Sequence, residues 1–317
     1  MRKAIAAQAM DSSTPASLPS TSLIIPSRNR PELLLATVRS ILEGDEIPTE
    51  LIIVDQSDAR DPTLTTLATD CSCEIRYLWT ESVGVSRARN IGIAAAQHNI
   101  LAFTDDDIAV TSTWFGALIR ALLCAGPRGV VSGRVLPSIV QKRGGFVPST
   151  KTDEDRSVYA GRVGEDVLFT NNAAMFRSAI DEVGKFDVRL GPGSVFSNAE
   201  DNDLGFRLLE AGYRIIYVPE AVLYHRAWRD ERDYLPLRWS YGRGQGAYYA
   251  KHLSLTDRYM LWRMLGHVKN HALGFIHRVR RQRHLAYGDA VYLLGFFSGA
   301  IRWLLTQRWT RLSEDAN

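Results

Sequence analysis

Cysteine is scarce in this chain: Cys71, Cys73 and Cys124 are the only three among 317 residues. Cys71 and Cys73 stand too close together for an ordinary disulfide framework, and no second pair completes a zinc site. That excludes a disulfide-stapled scaffold and a zinc module, and leaves reduced, partly buried thiols of a cytosolic protein. Long apolar runs are missing as well. The stretch from Ala290 to Leu305 comes nearest, and Arg302 breaks it, so no bilayer-spanning helix is expected. The opening MRKAIAAQAM starts like a signal peptide, but Gln8 and Asp11 interrupt any apolar core. Repeats and low-complexity tracts are absent. A cytoplasmic location is expected, with contact at the inner face of a membrane as an option.

The formal net charge of +3 says little, but its distribution says more. From Arg226 to Arg311 basic residues outnumber acidic ones by about three to one, whereas the chain before His225 is mildly acidic. The asymmetry points to an anionic partner for the C-terminal part. The length suits one large domain plus an appendage. The boundaries read as a disordered leader over 1–21, an α/β domain over 22–228 and a helical region over 229–317.

Over the first half, apolar runs alternate with amphipathic stretches. SLIIP (Ser22–Pro26), LIIVD (Leu51–Asp55), EIRYLW (Glu74–Trp79), NILAFT (Asn99–Thr104) and GVVSGRV (Gly129–Val135) read as buried strands. Between them PELLLATVRSIL, SRARNIGIAAA (Ser86 as its N-cap) and TWFGALIRALL read as helices. This alternation predicts βαβ units, hence a Rossmann-like, mostly parallel sheet flanked by helices, with a C-terminal helical extension. Residues 144–169 read as a long polar connection. Beyond it come a short strand and helix, a glycine-rich loop, a helix opening near Ala199, and strands at Arg214–Val218 and Ala221–His225. The rest is helical to about Gln307.

Ligands of such sheets collect beyond the carboxyl ends of the strands. There the sequence puts Asp55 and, after ILAFT, three adjacent carboxylates: Asp105, Asp106 and Asp107. Like charges side by side cost stability unless something neutralises them. A second cluster, Glu200, Asp201 and Asp203, opens a helix, where carboxylates also favour the dipole. Each cluster alone could be a solvated turn or a cap. Together they suit a hard divalent cation held by one or two carboxylates and a diphosphate, with a separate carboxylate free to take a proton. That chemistry is transfer from a diphosphate-activated donor.

TSLIIPSRNRPELLLATVRSIL, LIIVDQSD, GVSRARNIGIAAA, ILAFTDDDIAV and NAEDNDLGFRLLEAGYRIIYVPEAVLYH occur in order and with the spacing of family 2 glycosyltransferases of the GT-A fold. The chain resembles that family over about Ser22 to Arg226. The resemblance implies that Pro26, Arg28 and Arg30 lie beside the nucleotide base and that Asp55 hydrogen-bonds it. It implies that Arg89 and Asn90 lie near the nucleotide and its phosphates. Asp105 matches the first acid of an Asp-x-Asp, near the donor ribose or sugar, and Asp106 its variable place. Asp107 matches the metal ligand, and His225 a histidine that completes coordination of Mg2+ or Mn2+ in some members. Asp201 is expected as the catalytic base, with Glu200 holding the acceptor or orienting Asp201. The family inverts the anomeric centre. A Gln-x-x-Arg-Trp segment is not found after His225, which points to transfer of one sugar rather than processive synthesis.

The implied function is transfer from a nucleotide sugar, UDP favoured, to a saccharide or lipid-linked saccharide, in bacterial cell-surface polysaccharide or glycolipid synthesis. Two rivals stand beside it. A sugar-phosphate nucleotidyltransferase should show a Gly-x-Gly-x-Arg loop after the first strand, where this chain reads PSRNRPELL. A divalent-ion-dependent carbohydrate-binding protein needs no nucleotide. In the C-terminal third, aromatics mix with arginines, and HRVRRQRH (His277–His284) is the densest basic run. Solvated basic helices, an interfacial surface for anionic lipid, and nucleic-acid binding compete there. The last is disfavoured because no recognised reading module is present.

Overall fold

A computed structural model describes residues 17–61, 72–138 and 145–314, with side chains to residue 306. The expected leader, apart from residues 17–21, and Cys71 lie outside these residues.

The first half of the chain lays down β1 (Thr21–Ser27), α1 (Pro31–Leu42), β2 (Glu50–Asp55), β3 (Glu74–Trp79), α2 (Val85–Ala95) and β4 (Ile100–Thr104). β1 pairs in parallel with both β2 and β4, and β2 with β3. β1, β2 and β4 read as near-continuous apolar runs because both faces are covered, whereas β3 at the sheet edge stays half-exposed. Leu23, Ile25, Leu51 and Ile53 point into one core with α1, while Ile24, Ile52 and Val54 point into the other with α2. Each such side chain contributes roughly 1.5–3 kcal/mol by leaving water. Pro31 occupies the first turn of α1, where its missing N–H costs nothing. Ser86 is not the cap of α2. Gly84 takes that position, and Ser86 Oγ donates to Leu190 O at 2.7 Å.

After β4 come β5 (Ile108–Val110), α3 (Trp114–Ala125), β6 (Gly129–Pro137), β7 (Ser157–Ala160), β8 (Asn172–Phe176), α4 (Arg177–Val183), α5 (Glu200–Glu210) and β9 (Arg214–His225). One nine-stranded sheet results, in the order β3-β2-β1-β4-β8-β6-β9-β5, with β7 on β9. The expected parallel character holds for the four strands that carry Asp55 and the acidic triplet. Beyond β4 the sheet is mixed: β8 runs antiparallel to β4 and β6, and β5 and β7 antiparallel to β9, while β6 and β9 are parallel. Strand direction is not legible in a run buried on both faces, since either pairing buries it equally.

The expected connection over 144–169 is partly ordered into the sheet, through β7 and a bridge from Lys151 to Val135. The two expected strands near its end are the single β9, continuous through Pro219 with a register shift against β6.

α6 (Tyr234–His252), α7 (Tyr259–Arg278) and α8 (Arg283–Glu314) follow. α6 and α8 touch backbone to backbone. A Cβ on Gly246 would stand 1.9 Å from Phe296 O, and one on Gly299 2.0 Å from Arg243 O, so glycine alone permits the approach. On its other side α6 presses Gly244 against Asn198. Leu190 and Phe196 share a core with Ala247, Ala250 and Trp303. The C-terminal helices therefore brace the loop that leads into α5.

Candidate active site

The parallel register brings Ser27, Asp55 and Trp79 side by side at the carboxyl ends of β1, β2 and β3, with the triplet just past the end of β4. Each acid of the triplet has its own neutralising partner. Arg89 Nη2 lies 2.9 Å from Asp105 Oδ1. Arg30 spans the other two, at 2.6 Å from Asp106 Oδ1 and 2.8 Å from Asp107 Oδ2. His225 Nε2 faces Asp107 Oδ1 at 3.3 Å.

The three carboxylates are not equivalent. Asp106 is wholly buried and accepts from Ser27 Oγ at 2.7 Å. Burial pushes its pKa up to about 7, against the pull of Arg30. It ties β1 to the triplet. Asp107 is buried too, which would raise its pKa, but the hydrogen bond and charge of His225, with Arg30 and Arg229, hold it below the usual range. Asp105 is the most open of the three, with 27% of its side chain exposed.

The residues present fit a divalent cation. Ligand atoms of Asp105, Asp107 and His225 all lie within 4.8 Å of one another. Asp107 Oδ1 is a buried oxygen with no hydrogen bond of good geometry. His225 Nδ1 donates to Pro148 O at 3.0 Å, which fixes a proton there and leaves Nε2 facing Asp107, where loss of its own proton would free it to bind a cation. Two carboxylates and an imidazole suit Mn2+ as well as Mg2+. Asp105, expected at the sugar, thus also stands among the candidate ligands.

Arg89 links this group to the second acidic cluster. Its guanidinium is 2% exposed and reaches Glu200 Oε1 at 3.2 Å as well as Asp105. Glu200 comes close because residue 191 has no side chain: a Cβ on Gly191 would stand 3.0 Å from the Glu200 carboxylate. Ala199, immediately before, holds a left-handed φ of 74°, a strained setting for a residue with a Cβ. Burial pushes Glu200 upward, against Arg89. Burial and then the charge of Glu200 push Asp201 well above the carboxylate range. Among the described residues Asp201 accepts one hydrogen bond, from Asn202 N at 2.9 Å. Glu200 is tied and Asp201 is available, which suits the division between an orienting acid and a base.

The remaining expected residues have the following surroundings. Asp55 is buried, with Oδ1 accepting from Ser57 N at 2.9 Å and Oδ2 from Tyr77 OH at 2.6 Å. Arg28 is exposed and reaches Asp58 at 3.3 Å. Pro26 is buried within β1, opposite Val54. Arg30 faces the triplet. Asn90 engages both ends of its amide with the backbone of Phe186, at 2.9 and 3.0 Å, and so braces that loop.

Sequence reasoning missed several participants. Ser27 and Tyr77 were findable, since parallel register sets Ser27 beside Asp55 and places Tyr77 diagonally on the Asp55 face. Tyr241 of α6 carried no signal. Its hydroxyl lies 3.1 Å from Ser149 Oγ, and it feels the charges of Asp201, Arg229 and Glu200.

Residues 22–184 match the profile of glycosyl transferase family 2. The pre-mycofactocin glycosyltransferase of Mycobacterium tuberculosis is 30% identical over 230 residues, which cover 69% of this chain and 45% of that protein. The chain thus spans less than half the length of this curated relative. Among solved structures, the mannosyltransferase PcManGT from Pyrobaculum calidifontis, in complex with GDP-Man and Mn2+, superposes with a TM-score of 0.59 at 17% identity, covering 92% of this chain and 88% of that one. S. aureus TarS 1-349 in complex with UDP-GlcNAc gives a TM-score of 0.51 at 15% identity, covering 88% and 91%. These likenesses establish the fold as that of GT-A glycosyltransferases.

Proposed function

The chain belongs to glycosyl transferase family 2, and from that membership we propose that it transfers one sugar, with inversion, from a nucleotide diphosphate sugar to a hydroxyl acceptor. The observation that carries the reading is Arg89, whose buried guanidinium holds Asp105 of the triplet and Glu200 of the second cluster in one site. Metal-binding and proton-accepting carboxylates thereby share a cleft edge.

The donor's base is assigned to the edge lined by Asp55, with Arg28 on its exposed rim, and UDP is the favoured nucleotide. Asp105, Asp107 and His225 would hold Mn2+ or Mg2+, which when bound neutralises charge on the departing diphosphate. Arg30 and Arg229, already close to Asp107, add fixed positive charge on that side. Asp201 takes the proton of the acceptor hydroxyl. The acceptor oxygen then bonds to the anomeric carbon as the bond to the diphosphate oxygen breaks on the opposite face. Glu200 keeps Asp201 in register and raises its proton affinity. Tyr241, brought in by α6, lines the acceptor side. The acceptor is a saccharide or a lipid-linked saccharide of bacterial surface polysaccharide or glycolipid synthesis, modified where nucleotide sugars occur, in the cytoplasm.

A panel of nucleotide sugars, followed by released nucleotide with Mn2+ and with EDTA, tests this. Turnover of one donor, abolished by EDTA and giving a product of inverted anomeric configuration by NMR, is the expected result. Mn2+-dependent sugar binding without any affinity for UDP or GDP would favour a carbohydrate-binding protein instead.

A further inference from the structure

We propose that the outward faces of α7 and α8 form a docking surface for an anionic lipid bilayer, distinct from the acid-lined site. The inner side of α7 is partnered: Met260 is buried, and His267 and His271 pack on Tyr292 of α8. Its outer side should then be polar, and it is not. Trp262, Leu265, Leu273 and Ile276 recur at helical spacing there, with Trp262 66% exposed. Lys269 interrupts the stripe, and exposed Asn270 and His277 border it. On α8 the same holds. Tyr292, Phe296 and Trp303 face inward, while Leu294, Phe297, Ile301 and Leu305 face out, Leu294 at 64% exposure.

Charge identifies the occupant. Between Asp257 and Glu314 the sequence holds ten lysines and arginines and one acid, Asp289. That acid is 3% exposed and is engaged by Arg238, Arg278 and His271 at 3.1, 2.6 and 2.9 Å. Over α7, and over α8 as far as residue 306, the outer faces therefore carry no exposed carboxylate. The corner between the helices adds exposed Arg280, Arg281 and Arg283. Apolar stripes bordered by uncompensated cations match a headgroup layer of negative charge over hydrocarbon. A second copy of the chain fits poorly, because a two-fold contact would set these cations against themselves. Nucleic acid would leave Trp262, Leu273 and Ile276 facing phosphate. Among the described residues no helix is long and apolar enough to cross a membrane, so the proposed contact lies on the surface of the bilayer.

Flotation of the full chain with vesicles tests the proposal, using two parts phosphatidylcholine to one part phosphatidylglycerol, and phosphatidylcholine alone. Binding to the anionic vesicles at low salt, little binding to neutral ones, and release by high salt are expected. Arg280→Ser, Arg281→Ser and Arg283→Ser together should lower partitioning on the order of a hundredfold. Trp262→Ser, Leu273→Ser and Ile276→Ser together should do likewise, with an unchanged circular dichroism spectrum showing that the fold is kept. In the unaltered chain, brominated lipid should quench tryptophan fluorescence, and less so in Trp262→Phe. The proposal is overturned by absence of binding to anionic vesicles at low salt, or by binding that neither triple variant weakens. A dimer in light scattering that the apolar variant dissolves also overturns it, as does RNA that outcompetes the vesicles. No nucleotide sugar enters the assay, so its outcome is independent of the transferase reading.

Discussion

Arg89 Nη1 donates to Glu200 Oε1 at 3.2 Å across 111 positions of sequence, between the second turn of one helix and the first residue of another. The same guanidinium holds Asp105, so two acidic clusters that would repel each other share one buried cation. Arg89→Met leaves both carboxylates uncompensated, and removal of one partner from such a buried group costs about 3–5 kcal/mol. Arg89→Lys, a point charge without the fork, should recover only part of this. Urea unfolding of the three proteins measures it, and equal midpoints would refute the bridging role.

His225→Ala should weaken cation binding about 10–100-fold, the cost typical of disturbing a metal site's ligand sphere. Calorimetric titration of Mn2+ in the presence of UDP reads this directly. Asp107→Asn should be more severe, since it removes the negative charge of the buried carboxylate that faces His225.

Asp201→Asn should lower turnover about 10²–10⁴-fold while donor affinity is kept. The base acts as carboxylate, and its pKa is raised by burial and by Glu200, so the rate climbs with pH through a value above that of an ordinary aspartate. Glu200→Gln removes the neighbouring negative charge and should move that acid limb to lower pH. Since the two acids titrate as a pair, kcat–pH profiles of both proteins are needed.

Asp203 ties α5 to α6. Burial would raise its pKa, but the hydrogen bond from His252 and the charges of Arg207 and Lys251 bring it down to about 2. A depressed carboxylate contributes stability that is present above its unfolded pKa and lost as pH falls through the folded one. Asp203 should therefore contribute roughly 2–3 kcal/mol at neutral pH, lost between about pH 4 and pH 2. Asp203→Asn should lose it at all pH values, and unfolding free energies at neutral and acid pH distinguish the two chains.

Gly246→Ala forces a methyl into the Phe296 carbonyl and should destabilise the helical region by about 1–3 kcal/mol or more. Gly266→Ala on α7, with no heavy atom within 4 Å of the new Cβ, should instead stabilise by roughly 0.5–1 kcal/mol. Thermal midpoints moving in opposite directions are the expected pattern.

What the order of residues determined by itself was the set of buried strands and the places where carboxylates interrupt them. ILAFT ending in three aspartates is legible because an apolar run buried on both faces must stop where charge begins. Asp107 and His225 were legible as a pair only through the resemblance, since nothing local joins a loop after β4 to the end of β9. The tertiary structure alone decided which cation neutralises which acid. It set Arg30 against Asp106 and Asp107, and engaged Asn90 in bracing Phe186. It also decided the direction of β8 and the outward turn of Trp262 and Leu294. Periodicity states that a residue lies on a given stripe of a helix or face of a strand. Whether that stripe meets a partner, a charge or open solvent depends on chain segments far away in sequence, and those meet only once the sheet has formed.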